Sequence, residues 1–232
     1  VVYFHGADCS GDLIVDVPNG AFTLTDPAPD TLYQYSENSS AAVWEALVIS
    51  LDDSDESTES TITRGPEWDN CFAWAVPIWR NTPANIVHHP SSGYEDKFIY
   101  YESSMADPGV FIGEFYNYSG ETLVFLMEDG QTVCVMRAFK TESDVIGEVL
   151  SEMEIMTVIY EWADGELLPE EIYALWQTWK PLLRTRCERE NLTMMLFPLS
   201  EEQVNSVSTL RFESADDVQV EYSRLLLGLG RI

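Results

Sequence analysis

Residues 97–139 constrain this chain more than any other stretch, because they pack strand-like runs of aromatic and β-branched residues between short turn signals. Phe98, Ile99, Tyr100 and Tyr101 form the first run, and Val110, Phe111, Ile112, Phe115 and Tyr116 a second one after Gly109. Ser119-Gly120 separates that run from 122–127, and Asp129-Gly130 separates this one from 132–139, so turn residues fall where hairpins need them. The pattern predicts an antiparallel meander, which builds a core and displays no catalytic group.

The rest of the first 140 residues reads in the same way. Residues 1–5 are strand-like, 13–17 end at Pro18-Asn19-Gly20, and 21–25 resume an alternating run, which predicts a hairpin. A longer apolar strand over 43–51 is followed by an acidic, Ser-rich block at 52–62 with too little apolar surface to fold by itself. Its dense carboxylates lack the Gly and terminal Glu of an EF-hand calcium loop. Trp68, Trp74 and Trp79 are read as core-filling rings, the other use of such side chains being to stack on sugars or partners. Residues 85–93, with His88-His89-Pro90, read as a loop.

After Phe139 the period changes from two to about 3.6. Thr141 and Asp144 have capping-box spacing, and Ile146, Leu150, Met153 and Tyr160 recur on one helical face until Asp164-Gly165. Pro169 suits the first turn of a second helix, whose buried stripe is Ile172, Leu175, Trp176 and Trp179 and which Pro181 should kink or shorten. Strands follow at 192–198 and 209–213, and Ser214-Ala215-Asp216-Asp217 is read as the cap of a last helix through Leu229. The predicted fold is α+β: an antiparallel β-rich, sandwich-like body at 1–140, and a mixed region at 141–232 whose two or three helices pack on it.

Charge narrows the partners. Forty Asp plus Glu against 12 Lys plus Arg give a net charge of −28, a surface that repels phosphate backbones and anionic membranes. Nucleic acid is therefore set aside, and no apolar run reaches the roughly 18 residues of a membrane-spanning helix. Strand-like sequence begins at Val1 with no charged segment before it, which suggests that something upstream was removed or left out, a cleaved signal peptide being one natural candidate. Cys9, Cys71, Cys134 and Cys187 are widely spaced without a C-x-x-C pair, so they read either as two disulfides in an oxidising compartment or as four buried thiols. Asn38, Asn117 and Asn191 each open a glycosylation sequon.

The resemblance that the chain carries is to an uncharacterised family of exported proteins from bacteria such as Planctomycetes and Myxobacteria. That family is similar in its PVVYFY-like start (here 1–5), its hairpin near a P-x-G turn (17–25), its EAEKFLFYRG-like strand (95–102), its EA-x-x-M-x-x-TW-like helix (170–179) and its LxxLP strand pair with a closing helix (192–229). Two departures stand out: Glu102-Ser103 replaces the Arg-Gly, and Leu24-Thr25-Asp26-Pro27 replaces a Glu-Trp-Tyr-Pro segment. The resemblance implies export and carries no activity, cofactor or site residue with it.

Chemistry-bearing motifs are few. No G-x-S-x-G, Walker loop, G-x-G-x-x-G or H-E-x-x-H occurs. His5, Asp8, His88 and His89 are the candidate metal ligands, since imidazole with carboxylate is an ordinary zinc or iron set. Cys9 near His5 is a candidate nucleophile pair in sequence only. Two functional readings follow. The first is a non-catalytic exported structural or binding module of the envelope, the surface or an extracellular assembly, with no cofactor and with other protein subunits or surface glycans as partners. The second is a metal-dependent hydrolase built on the His/Asp set.

Overall fold

The computed structural model describes residues 1–18, 20–36, 39–50, 72–105, 120–138, 148–216 and 218–231. The expected second run of the meander, the acidic block at 52–62, Trp68, Cys71, Asn38, Asn117 and the Thr141/Asp144 capping pair lie outside these residues. The fold is α+β with antiparallel sheets. The chain divides into two compact units, Val1–Asp107 with Glu202–Tyr222 and Pro108–Glu201 with Ser223–Ile232. Each unit is discontinuous in sequence.

The first unit holds two sheets. β2 (Cys9–Val17), β5 (Ser39–Ile49), β6 (Ile86–His89), β7 (Tyr94–Asp96) and β12 (Thr209–Ser214) run in the order β12-β2-β5-β6-β7, and β4 (Thr31–Ser36) also pairs with β5. β1 (Val2–Tyr3), β8 (Phe98–Met105) and β3 (Gly20–Asp26) form the other, in the order β1-β8-β3. Alternation explains how they pack: Leu13, Val15 and Val17 of β2 and Ala42, Trp44 and Ala46 of β5 point inward and meet Ile99 of β8. Trp44, fully buried, donates its indole N–H to Pro27 O and packs edge-on to Phe22. The other face of β8 carries Phe98 and Tyr100, and Trp79 of α1 (Val76–Arg80) stacks on Tyr100 with ring centroids 5.0 Å apart. Trp79 is thus the expected core ring, whereas Trp74 is 43% exposed.

The second unit is one sheet, ordered β10-β9-β11-β13, with helices against it. β9 (Glu121–Glu128) and β10 (Gln131–Ala138) pair through a two-residue turn in which Asp129 and Gly130 take φ 48° and 79°. Those left-handed angles suit the Asp-Gly pair that the sequence offers. α2 (Glu152–Trp162) starts at Ser151, whose hydroxyl accepts from Glu154 N–H while the Glu154 carboxylate accepts from Ser151 N–H. α3 (Pro169–Glu190) begins with Pro169 and lays Trp176 on Phe125, ring centroids 5.9 Å apart. β11 (Met194–Pro198) joins β9 to β13 (Leu227–Arg231).

Several expectations are corrected. The Pro18-Asn19-Gly20 turn does not make a hairpin, because β2 pairs with β5 and β12 while β3 pairs with β8. The chain changes sheet there, past Gly20, where a Cβ would stand 2.6 Å from both Ser104 O and Val17 Cγ1. For the same reason β8 and the β9–β10 hairpin are not one meander. Residues 86–89 are a strand and not a loop. The first helix starts later than its periodicity suggests, since Val149 bridges to Val135 and Leu150 N–H bonds Cys134 O. Pro181 does not shorten α3, which continues over the buried Leu183 and Cys187 to Glu190. The expected closing helix is absent from 218–226, its last residues form β13 against β11, and the one short helix nearby, α4 (Glu201–Val207), lies before β12. Gly228 and Gly230 are poor helix formers, and Gly228 lies against the Phe197 ring where a Cβ would come within 2.4 Å.

Candidate functional site

The four expected metal ligands do not converge. His5 and Asp8 are exposed between β1 and β2, and Asp8 accepts from both the N–H and the hydroxyl of Ser50, each at 2.6 Å. Adjacent strand residues point to opposite faces, so His88 and His89 part company on β6. His88 Nδ1 meets Glu95 Oε1 at 2.9 Å on the outer face, and His89 turns inward, 1% exposed. Among the described residues no group of three or more His, Cys, Asp or Glu is placed to hold a metal.

His89 instead forms a polar chain that the sequence did not announce. Its Nε2 lies 2.8 Å from Asp30 Oδ2 and its Nδ1 2.5 Å from Ser92 Oγ. Burial pushes the Asp30 carboxyl up, and the hydrogen bonds from Ser91, Glu45 N–H and His89 outweigh it, leaving Asp30 below the usual carboxylate range. In the tautomer with its proton on Nε2, His89 donates to Asp30 and accepts from Ser92 at Nδ1. The partners follow the Asp–His–Ser order of a charge-relay triad, but with the two ring nitrogens exchanged, and the serine is exposed on the β6–β7 hairpin. What such a relay also needs is free N–H groups aimed at a developing oxyanion. Here Gly93 N–H bonds His89 O at 2.9 Å and Tyr94 N–H bonds Ser92 Oγ itself at 3.2 Å. Those two amides hold the hairpin's shape.

The thiols are free at Cys9, Cys134 and Cys187, so the expected pairing into disulfides is not found among them. Cys134 and Cys187 are buried in the second unit's core with Phe125 and Trp176. Burial first, and then Cys187, push the Cys134 thiol well above its ordinary value, and burial does the same to Cys187. Cys9 is raised by burial and by Asp216 and Asp8, which makes it a poor nucleophile beside His5. Of the sequons, Asn191 is described: it is exposed and ends α3 in the left-handed region, φ 51°.

The second unit contains a half-open cleft of about 420 Å³, within the range of about 300–1,000 Å³ usual for small-ligand sites. Its floor is Phe125, Cys134, Ile155 and Trp176. One wall is the hairpin from Gly130 to Cys134, and Val149, 54% exposed, is an apolar lip. The other wall is α3, which turns the i, i+4 row Trp176, Lys180, Arg184 and Glu188 toward it. Glu152, at the start of α2, accepts from Lys180 Nζ and Gln177 Nε2, both at 2.7 Å, and from Trp176 Nε1 at 3.0 Å. The Lys180 ammonium first of all, with Gln177 and Trp176, holds the Glu152 carboxyl below its usual range against the cost of burying it. Sequence reading marked Trp176 as core and passed over the charged row, although its spacing was visible. The part contributed by the β9–β10 hairpin has no signal in the sequence of α3.

Comparison with family models, with curated proteins and with solved structures finds no match to the chain.

Proposed function

We propose that this chain is a non-catalytic exported module of the cell envelope, the cell surface or an extracellular assembly, with other protein subunits or surface glycans as its partners. The observation that supports the non-catalytic part is the closure of the Asp30–His89–Ser92 chain. His89, 1% exposed, is bonded at both ring nitrogens, and the adjacent Gly93 and Tyr94 amides are engaged inside the hairpin. Such a chain ties the approach to β4 to the β6–β7 turn, which is structural work. Metal-dependent hydrolysis would need His5, Asp8, His88 and His89 around one ion, and opposite faces of β6 separate two of the four.

Export is supported by the exposed Asn191 sequon and by the resemblance of the sequence to one family of exported proteins. Among the described residues no helix is long and apolar enough to cross a membrane. Fractionation of the native cells, followed by cross-linking in the fraction that holds the protein, tests the reading. Recovery outside the cytoplasm, cross-linked to a protein or glycan, is expected; cytoplasmic recovery overturns export. Hydrolysis of a chromogenic acyl ester that disappears in Ser92→Ala overturns the non-catalytic part.

A further inference from the structure

Positive charge is scarce in this protein and unevenly placed. Lys180, Arg184, Arg186 and Arg189 put four of the chain's 12 cations on α3, and the first two line the cleft. The polar groups of that cleft do not balance as hydrogen-bonding partners even where they balance as charges. Lys180 gives one of its three N–H groups to Glu152, and Arg184 gives one of its five to Glu188. Glu152 by contrast has already accepted from three donors. The rim therefore presents N–H donors that no protein acceptor takes, beside a lining of aromatic and aliphatic side chains.

The internal ion pairs are also easy to exchange. Both are partly solvent-exposed, with side-chain exposures of 40% and 42% for Lys180–Glu152 and 68% and 33% for Arg184–Glu188, and ion pairs open to water contribute little. Arg184 precedes Glu188 by four residues, the less favourable order on a helix, and Glu188 sits near the negative end of α3.

We propose that this cleft binds an amphiphilic carboxylate, its head group on Lys180 and Arg184 and its apolar body along Trp176, Phe125 and the Val149 lip. An anion that enters replaces water on donors that no protein acceptor takes, in a chain that otherwise repels anions. The apolar body is then removed from water along the exposed Val149 lip and the small parts of Trp176 and Phe125, 4% and 3% exposed, that reach the cleft. The inference stands on the second unit alone and does not depend on export.

The test is calorimetric titration of the whole protein with decanoate below its micelle concentration, beside decylamine and decanol, with the indole N–H signal of Trp176 followed by NMR and assigned with Trp176→Phe. Saturable one-to-one binding of decanoate is expected, with a shift of the Trp176 signal and with at least about tenfold weaker binding of the amine and the alcohol. Lys180→Gln and Arg184→Gln should each weaken decanoate about tenfold with unchanged circular dichroism. Glu152→Gln, which removes the internal competitor for Lys180, should strengthen it. No saturable decanoate binding, equal binding of decylamine, or full affinity in the Lys180→Gln/Arg184→Gln double variant would each overturn the proposal.

Discussion

Arg80 grips Asp96 at two points: its Nε and Nη2 lie 2.9 and 2.5 Å from Asp96 Oδ2, and the Asp96 side chain is fully buried. Asp96 also accepts from Lys97 N–H at 2.8 Å. Hydrogen bonding to Asp96 holds Arg80 protonated more firmly than usual, and burial followed by the charge of Asp96 pushes the Tyr94 phenol far up. The carboxylate is affordable inside the protein only while the guanidinium stays.

Removing one partner should therefore cost more than removing both. Arg80→Ala is expected to lower stability by about 3–5 kcal/mol, because it strands a buried charge. Arg80→Met with Asp96→Leu should cost clearly less than either single change. Urea unfolding of the three variants decides this, and equal losses for single and double variants would remove the argument.

Asp30 gives a pH dependence of defined sign. Its folded-state pKa is depressed, so its contribution to stability is complete above the unfolded carboxylate value of about 3.9. That contribution is lost as pH falls from there through the lower folded value. Asp30→Asn should lower stability at neutral pH by about 1–3 kcal/mol and flatten the acid limb below about pH 4. Parallel acid limbs in the two proteins would show that Asp30 is not one of the groups responsible.

Across the outer face of the six-stranded sheet, Glu213, Asp12 and Glu45 stand directly opposite one another on β12, β2 and β5. Like charges in register oppose pairing. Asp12→Asn should raise stability by about 0.2–1 kcal/mol at low ionic strength. Added salt should shrink that gain, as it screens the exposed carboxylates. Thermal melts across a salt series measure both effects, and a destabilised Asp12→Asn at every salt concentration would contradict them.

The β9–β10 turn is the clearest case of local chemistry setting register. Gly130→Ala puts a Cβ on a residue at φ 79°, with nothing within 4 Å for it to strike, so its cost is conformational alone. A loss of about 1–2 kcal/mol is expected, read by urea unfolding.

That turn also shows what was legible. Asp129-Gly130 states the angles it needs, so both flanking strands and their pairing follow from a few residues. The capping chemistry of Ser151 and Glu154 was equally local, and it was masked by a periodicity that runs on upstream of it. What no short stretch states is which sheet a strand joins. β2 and β3 flank a turn sequence and still separate, because β2 finds better partners in β5 and in β12, nearly two hundred residues away. Residues 218–229 have helical spacing of apolar residues, yet β11 claims the last of them as a strand. The cleft shows both sides: Trp176, Lys180, Arg184 and Glu188 share a face by arithmetic, but the hairpin facing them is known only once the second unit is folded.

The first unit depends on residues that the ribosome delivers late. Its larger sheet closes at β12, from Glu202–Tyr222, after the chain has passed through Pro108–Glu201. Until then β2 lacks one neighbour and presents an open edge, the kind of surface on which chains pair with one another. A nascent chain halted before Thr209 therefore exposes that edge of β2, and a chain cut at residue 107 lacks the strand that covers it. Both units are discontinuous, and each matures only when the chain that interrupts it has been made.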